Sequence, residues 1–228
     1  MDLNSFYTKY GKDTVDNALE TLNYKKTTFM PKEEDSSLPT VYIFRHGQSE
    51  DNENYIFSGW RDAKLTLKGE KQALDLADKL KDKKIQMLIS SPQVRAVQTM
   101  RLAMSKNPTA TSLDIHTDFR IRERCYGELQ GQSKLLLQLE NPELLKEYRR
   151  SYTKKAQGGE NLEEVILRVK NFCDEIVPMI KDNNINVAIS CHGNSIRGFR
   201  KYFENLTVEE VCEMETPLAQ DYLSYIIR

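Results

Sequence analysis

No apolar run in the chain approaches the roughly 18 residues that a membrane-spanning helix needs, and the N-terminus carries no apolar core of signal-peptide type. A location in the cytoplasm, with no membrane partner, is therefore expected. Charge of one sign is not in excess either: 33 basic residues against 34 acidic ones leave a formal charge of -1. That balance gives no global pull toward nucleic acid, so any basic patch must be local. The four cysteines, Cys125, Cys173, Cys191 and Cys212, are far apart and form no C-x-x-C pair. Neither a zinc site nor a disulfide framework is suggested, and reduced thiols are expected. Histidine is scarcer still, with three in the chain. No metal-ligand cluster is visible, and no metal is expected.

What is present is concentrated in a few short segments. Val41 to Phe44 form an apolar, β-branched and aromatic run of buried-strand type, followed directly by Arg45, His46 and Gly47. A strand that stops there delivers a guanidinium and an imidazole to the end of a sheet, where open α/β folds place their ligand crevice. Arg45 offers a fork of donors matched to phosphate or carboxylate. His46 can be a neutral nucleophile near pH 7, and Gly47 admits a close backbone approach.

The device recurs downstream. The segment N-V-A-I-S, residues 186–190, reads as a second buried strand and ends in C-H-G-N-S-I-R, with a helix start at Asn194. Two of three histidines, His46 and His192, thus sit in strand-then-His-Gly contexts, which points to one shared site. Between them, Thr66 caps a helix predicted over residues 68–81, and residues 85–89 read as a strand. Pro92 suits the first turn of the next helix, which places Arg95 about one turn in. Residues 113–119 are a third strand candidate, with His116 structural inside it. They lead to I-R-E-R, where Glu123 is the candidate proton donor among Arg122, Arg124 and Lys134. Helices are predicted over residues 141–150 and 161–181, and a last strand over 222–227.

Strands alternating with helices imply an α/β three-layer sandwich, a mostly parallel central sheet flanked by helices. With 228 residues, 39% of them hydrophobic, one main core is expected. Residues 1–39 read as an N-terminal extension and linker, and residues 40–228 as the catalytic domain. The extension has scattered apolar positions over residues 2–22 interrupted by Gly11, then a linker-like stretch over residues 31–39. Two histidines, several arginines and one carboxylic acid around one point suit phosphoryl transfer through a phosphohistidine. His46 would attack phosphorus, Glu123 would protonate the leaving oxygen, and His192 would contact the equatorial oxygens.

In chain order, R-H-G-Q-S-E-D-N, F-S-G-W, S-S-P-Q-V-R-A-V-Q-T, E-R-C-Y-G-E-L-Q-G, R-R-S-Y and H-G-N-S-I-R resemble the motifs of the histidine phosphatase superfamily. The likeness is to its cofactor-dependent phosphoglycerate mutase branch and covers about residues 41–205. The resemblance implies that His46 carries the phosphoryl group, that Arg45, Arg95 and His192 complete the phosphate pocket, and that Glu123 is the acid and base. It assigns the glycerate carboxylate and second phosphate to Arg124, Tyr126, Lys134, Arg149 and Arg150. Ser49, Asn52, Ser58, Gly59, Gly193 and Asn194 match ligand-lining positions. It further implies 2,3-bisphosphoglycerate as the priming phosphoryl donor, interconversion of 3- and 2-phosphoglycerate in glycolysis and gluconeogenesis, and a small phosphorylated metabolite as partner.

The chain departs from the family pattern at several places. Gln48 stands where the family usually has Glu, Asp51 where it usually has Trp, and A-Q near the end where it has T-G. The segment between Arg150 and Gly158 is short, as in compact mutases, and the sequence stops at Arg228 without the tail that covers the pocket in many of them. An open pocket admits water and speeds loss of the phosphoryl group. A phosphatase of small phosphate esters is thus an alternative, and a non-catalytic phosphate-binding scaffold is a third. A homo-oligomer is left open.

Overall fold

The computed structural model describes residues 3–23 and 28–228. The N-terminal part forms α1 (Leu3–Tyr10) and α2 (Lys12–Asn23), and the main body follows as β1 (Thr40–Arg45), α3 (Glu50–Glu53), α4 (Leu67–Leu80) and β2 (Met87–Ser90). Then come α5 (Val94–Ala103), β3 (Ile115–Thr117), α6 (Lys134–Glu140), α7 (Pro142–Arg150) and α8 (Leu162–Asn183). The chain closes with β4 (Val187–Cys191), α9 (Gly193–Glu204), α10 (Val208–Glu213) and β5 (Tyr222–Ile226). Asp2 of the extension lies outside the described residues.

The five strands make one sheet in the order β3-β2-β4-β1-β5, parallel except for β5. Alternation along β1 explains the layers, because successive side chains point to opposite faces. Val41 and Ile43 pack with Val165, Val169 and Phe172 of α8 and Phe199 of α9. Tyr42 and Phe44 pack on the other face with Leu76 and Leu80 of α4 and Met100 of α5. Helices therefore cover both faces, the three-layer α/β sandwich that the strand–helix alternation implied.

Local signals account for most boundaries. Thr66 caps α4, its side chain accepting from the Gly69 N–H, and Asn161 opens α8 with a capping box closed by Glu164. Some expectations are corrected. The third strand spans only Ile115–Thr117, because residues 119–121 turn into a 3-10 helix capped by Asp118; His116 is exposed there. Pro92 precedes α5 instead of opening it, so Arg95 is its second residue. The loop over residues 48–60 contains the short α3, capped by Ser49.

The N-terminal helices share a core with the body. Gly11, at φ +82, breaks α1 from α2, a left-handed conformation that suits glycine. Val15, Ala18 and Leu22 of α2 then bury against Phe57, Leu129, Leu135 and Leu145. The stretch over residues 31–39 runs along β5, with the Ser224 N–H donating to the Pro31 carbonyl at 3.0 Å and the Ile227 N–H to the Pro39 carbonyl at 2.8 Å. Among the described residues, no helix is long and apolar enough to cross a membrane.

Candidate active site

Strand register brings the two His-Gly devices together. β1 and β4 are adjacent and parallel, with Arg45 opposite Cys191, so the next residue on each strand is a histidine at the same sheet edge. The His46 and His192 rings lie 5.0 Å apart, centroid to centroid, and the His46 N–H donates to the Cys191 carbonyl at 3.0 Å. β2, on the other side of β4, ends at the same edge, and the turn after it feeds Arg95 into the site.

The hydrogen bonds of His46 fix its tautomer. Nδ1 lies 2.6 Å from the Gly47 carbonyl oxygen, which can only accept, so Nδ1 carries the hydrogen. Nε2 keeps its lone pair and accepts from Arg95 Nε at 3.2 Å. Burial, then the Arg95 and Arg45 cations, hold the imidazole well below its ordinary 6.5. The ring is therefore neutral, with one ring nitrogen equipped to attack. His192 is held neutral by the same burial and by Arg95, and its Nε2 pairs with Ser91 Oγ at 2.8 Å.

Glu123 approaches from the 3-10 segment after β3 and sits at the N-terminus of α9. Its Oε1 accepts from the Arg124 N–H at 2.8 Å, the Asn194 N–H at 3.2 Å and Asn194 Nδ2 at 2.9 Å. Burial alone would raise the carboxyl, but Arg45, these donors and Arg95 outweigh it and hold it below the usual range. Arg95 itself is fully buried and falls to about 10 through desolvation, which leaves it cationic at neutral pH. Its Nη1 and Nη2 donate to the carbonyls of Arg61 and Gly59 at 2.8 and 2.9 Å. Two buried side-chain atoms among the described residues have no partner, Arg45 Nε and His192 Nδ1. Such atoms are costly unless a ligand satisfies them, and both belong to side chains beside His46.

A cavity of about 570 Å3 opens onto His46. Of the residues singled out in the sequence, it is lined by Arg45, His46, Asn52, Ser58, Gly59, Arg95, Glu123, Tyr126, Lys134, Arg149, Gly193 and Asn194. His192 lies beside His46, fully buried. Three other singled-out residues lie elsewhere. Arg124 is spent on backbone, donating to the carbonyls of Glu160, Tyr148 and Lys154 at 2.7, 2.8 and 2.6 Å. Arg150 donates to the Cys212 carbonyl and pairs with Glu215. Ser49 is buried as the cap of α3, 3.3 Å from the Asn52 N–H. None of the three lines the cavity.

Other lining residues escaped the sequence. Arg197 lies one helical turn beyond Asn194 on α9, a spacing that could have found it. Glu215 and Thr216 lie in an irregular stretch, and Leu22 and Asn23 come from the end of α2; no local pattern marks any of them. Asn23 Nδ2 hydrogen-bonds the Tyr55 hydroxyl at 2.7 Å, which ties α2 to the loop carrying Ser58 and Gly59. Asp51 stabilises that loop by accepting from Ser58 Oγ at 2.8 Å and Arg61 Nε at 3.2 Å. No group of three or more His, Cys, Asp or Glu among the described residues is placed to hold a metal ion.

Comparison with known proteins agrees with this geometry. Residues 41–223 match the family model described as histidine phosphatase superfamily (branch 1). A relative from Cytophaga hutchinsonii named 2,3-bisphosphoglycerate-dependent phosphoglycerate mutase is 34% identical over 78% of this chain and 83% of its own. Phosphoglycerate mutase 1 of Saccharomyces cerevisiae is 30% identical over 79% and 84%. A mycobacterial glucosyl-3-phosphoglycerate phosphatase shares the fold, with a TM-score of 0.72 and 23% identity over 82% of this chain and 92% of that one. With two neutral histidines, Arg45 and Arg95 gathered at one sheet edge, and with the match spanning nearly all of the sheet, the chain belongs to the histidine phosphatase superfamily.

Proposed function

We propose that this protein is a 2,3-bisphosphoglycerate-dependent phosphoglycerate mutase that interconverts 3- and 2-phosphoglycerate through phosphorylated His46. The observation that carries the reading is that one cavity gathers more cations than a single phosphoryl group needs. Arg45 and Arg95 flank His46, while Lys134, Arg149 and Arg197 line the same space. A hydrolase needs only the cations around the phosphoryl group; a mutase must also hold the rest of a small, multiply anionic substrate so that either hydroxyl can face the phosphohistidine. The names of the C. hutchinsonii and S. cerevisiae relatives support the same activity.

In this reading, residues 40–228 carry the chemistry and the α1–α2 hairpin supplies part of the wall. His46 Nε2 attacks phosphorus while Arg95 exchanges its bond to that nitrogen for one to a phosphoryl oxygen. Arg45 Nε and His192 Nδ1 bind the other equatorial oxygens, as their unpartnered state suits. Glu123 is ionised, so it first accepts the proton of the hydroxyl that attacks phosphohistidine, then returns it to the leaving oxygen in the reverse transfer. The negative phosphoryl group nearby raises its proton affinity for the second role. The same basic walls fit 2,3-bisphosphoglycerate, which when bound supplies the priming phosphoryl group. The activity would serve glycolysis and gluconeogenesis, and the four buried free thiols suit a reducing cytoplasm.

A second reading, a phosphatase of small esters, is favoured by the Glu215 carboxylate inside the cavity, which lessens its positive charge. Water would then replace the acceptor hydroxyl. Assaying mutase and hydrolase turnover side by side on one sample, with and without 2,3-bisphosphoglycerate, separates the two. Mutase turnover that exceeds hydrolysis and depends on the bisphosphate is expected; hydrolysis alone would refute the mutase.

A further inference from the structure

The cavity is basic, yet one wall carries a carboxylate that the proposed chemistry does not use. Glu215 lies between α10 and β5, and its backbone is pinned on both sides: its N–H donates to Thr28 Oγ1 at 3.0 Å and its carbonyl accepts from the Thr28 N–H at 2.9 Å. The neighbouring residues are held by cavity arginines, since Arg197 Nη2 donates to the Met214 carbonyl and Arg45 Nη1 to the Thr216 carbonyl, each at 2.7 Å. The carboxylate forms an ion pair with Arg150, and the same oxygen also lies 3.5 Å from Arg149 Nη2. Burial raises this carboxyl, but Arg150, Arg149, Arg45 and Arg197 outweigh that and keep it ionised.

We propose that Glu215 is a specificity-determining residue: a built-in carboxylate that competes with the second anionic group of an incoming phosphate ester for Arg149. The proposal rests on the reading of the cavity as a phosphoryl-transfer site with cations to spare for a second anionic group. A phosphate ester with a neutral tail meets the Glu215 charge only indirectly, through Arg45. An ester that also carries a carboxylate must bring a like charge beside it and draw Arg149 away from it. Both effects oppose binding of the second anion. The cavity thus grades substrates by charge, and Glu215 sets the grade.

The test is the ratio of two KM values, for 3-phosphoglycerate and for p-nitrophenyl phosphate, in wild type, Glu215→Gln and Glu215→Asp. Removing one like charge at this separation in a partly screened site is worth on the order of tenfold. Glu215→Gln should therefore lower the phosphoglycerate KM about tenfold and the p-nitrophenyl phosphate KM by much less, so that the ratio of the two shifts at least about threefold, and Glu215→Asp should restore the wild-type ratio. A purely structural Glu215 gives the opposite result, an unchanged or raised phosphoglycerate KM as Arg149 and Arg150 lose their anchor, and that would overturn the proposal. A melting curve checks that each variant folds. If Glu215→Gln does not fold, the wild-type protein still decides: the carboxylate should gain less than about tenfold in binding over glycerol phosphate, and a hundredfold gain would overturn the proposal. Failure of the underlying reading looks different, because then neither ester is turned over by any variant.

Discussion

Replacing Glu123 with glutamine removes the proposed proton-transfer group and leaves its surroundings nearly intact. Glu123 Oε1 accepts three hydrogen bonds, from the Arg124 N–H, the Asn194 N–H and Asn194 Nδ2, and an amide oxygen of the same shape can accept all three. What changes is charge and acidity. General acid–base catalysis is worth about 10²–10⁴ in rate, or about 2.7–5.4 kcal/mol of barrier at 1.36 kcal/mol per decade. Because Glu123 offsets the Arg45 and Arg95 cations, neutralising it makes the site more attractive to phosphate. The loss should fall in kcat, by about 10²–10⁴, with KM unchanged or lower. Steady-state kinetics on phosphoglycerate, with a melting curve to verify folding, make the measurement. A kcat loss below tenfold, or an effect confined to a raised KM, would refute the role given to Glu123.

Acid should weaken the fold through its buried histidines. His46 and His192 are held well below 6.5 by burial and the nearby arginines, so below about pH 6.5 the unfolded chain binds protons that the folded chain does not. Stability is then full above that pH and falls as pH drops through it, with a slope of up to about 1.4 kcal/mol per pH unit for each ring. Urea titrations between pH 7.5 and 5 read this directly, and a flat profile would contradict it. Leu22→Ala opens a cavity in the cluster that α2 shares with Phe57, Leu135 and Leu145; a loss of about 2–4 kcal/mol is expected. A loss below about 0.5 kcal/mol would mean that the hairpin contributes little to the core. Gly69→Ala places a Cβ 2.0 Å from the Gln48 carbonyl oxygen, so the backbone next to Gly47 must move. A stability loss of about 1–3 kcal/mol and a kcat loss of at least about tenfold are expected, and unaltered turnover would contradict the close approach.

The parts of this fold legible in the sequence are those with strong local signals. The runs over residues 41–44 and 187–189 are apolar because both strands are buried on both faces, and a His-Gly pair after the end of each advertises chemistry at the sheet edge. Thr66 and Asn161 announce their helices by capping. Arginines were harder to read, because a guanidinium serves substrate or structure according to what surrounds it. Arg124 and Arg149 look alike in the sequence, yet three carbonyls claim the first while the second reaches the cavity. Glu215 lies in an irregular stretch that no local pattern connects with the pocket. Val15, Ala18 and Leu22 form one helical stripe, but the surface that buries it comes from residues 55–57 and 126–148, too distant in sequence for any local pattern to reveal.

The phosphohistidine itself is the most direct test. Brief exposure of the protein to radiolabelled 2,3-bisphosphoglycerate, followed by acid and alkali treatment, should give a label that acid removes and alkali preserves. The label should be absent from His46→Ala. A label that persists in His46→Ala, or turnover by a wild-type protein that never acquires one, would contradict the account.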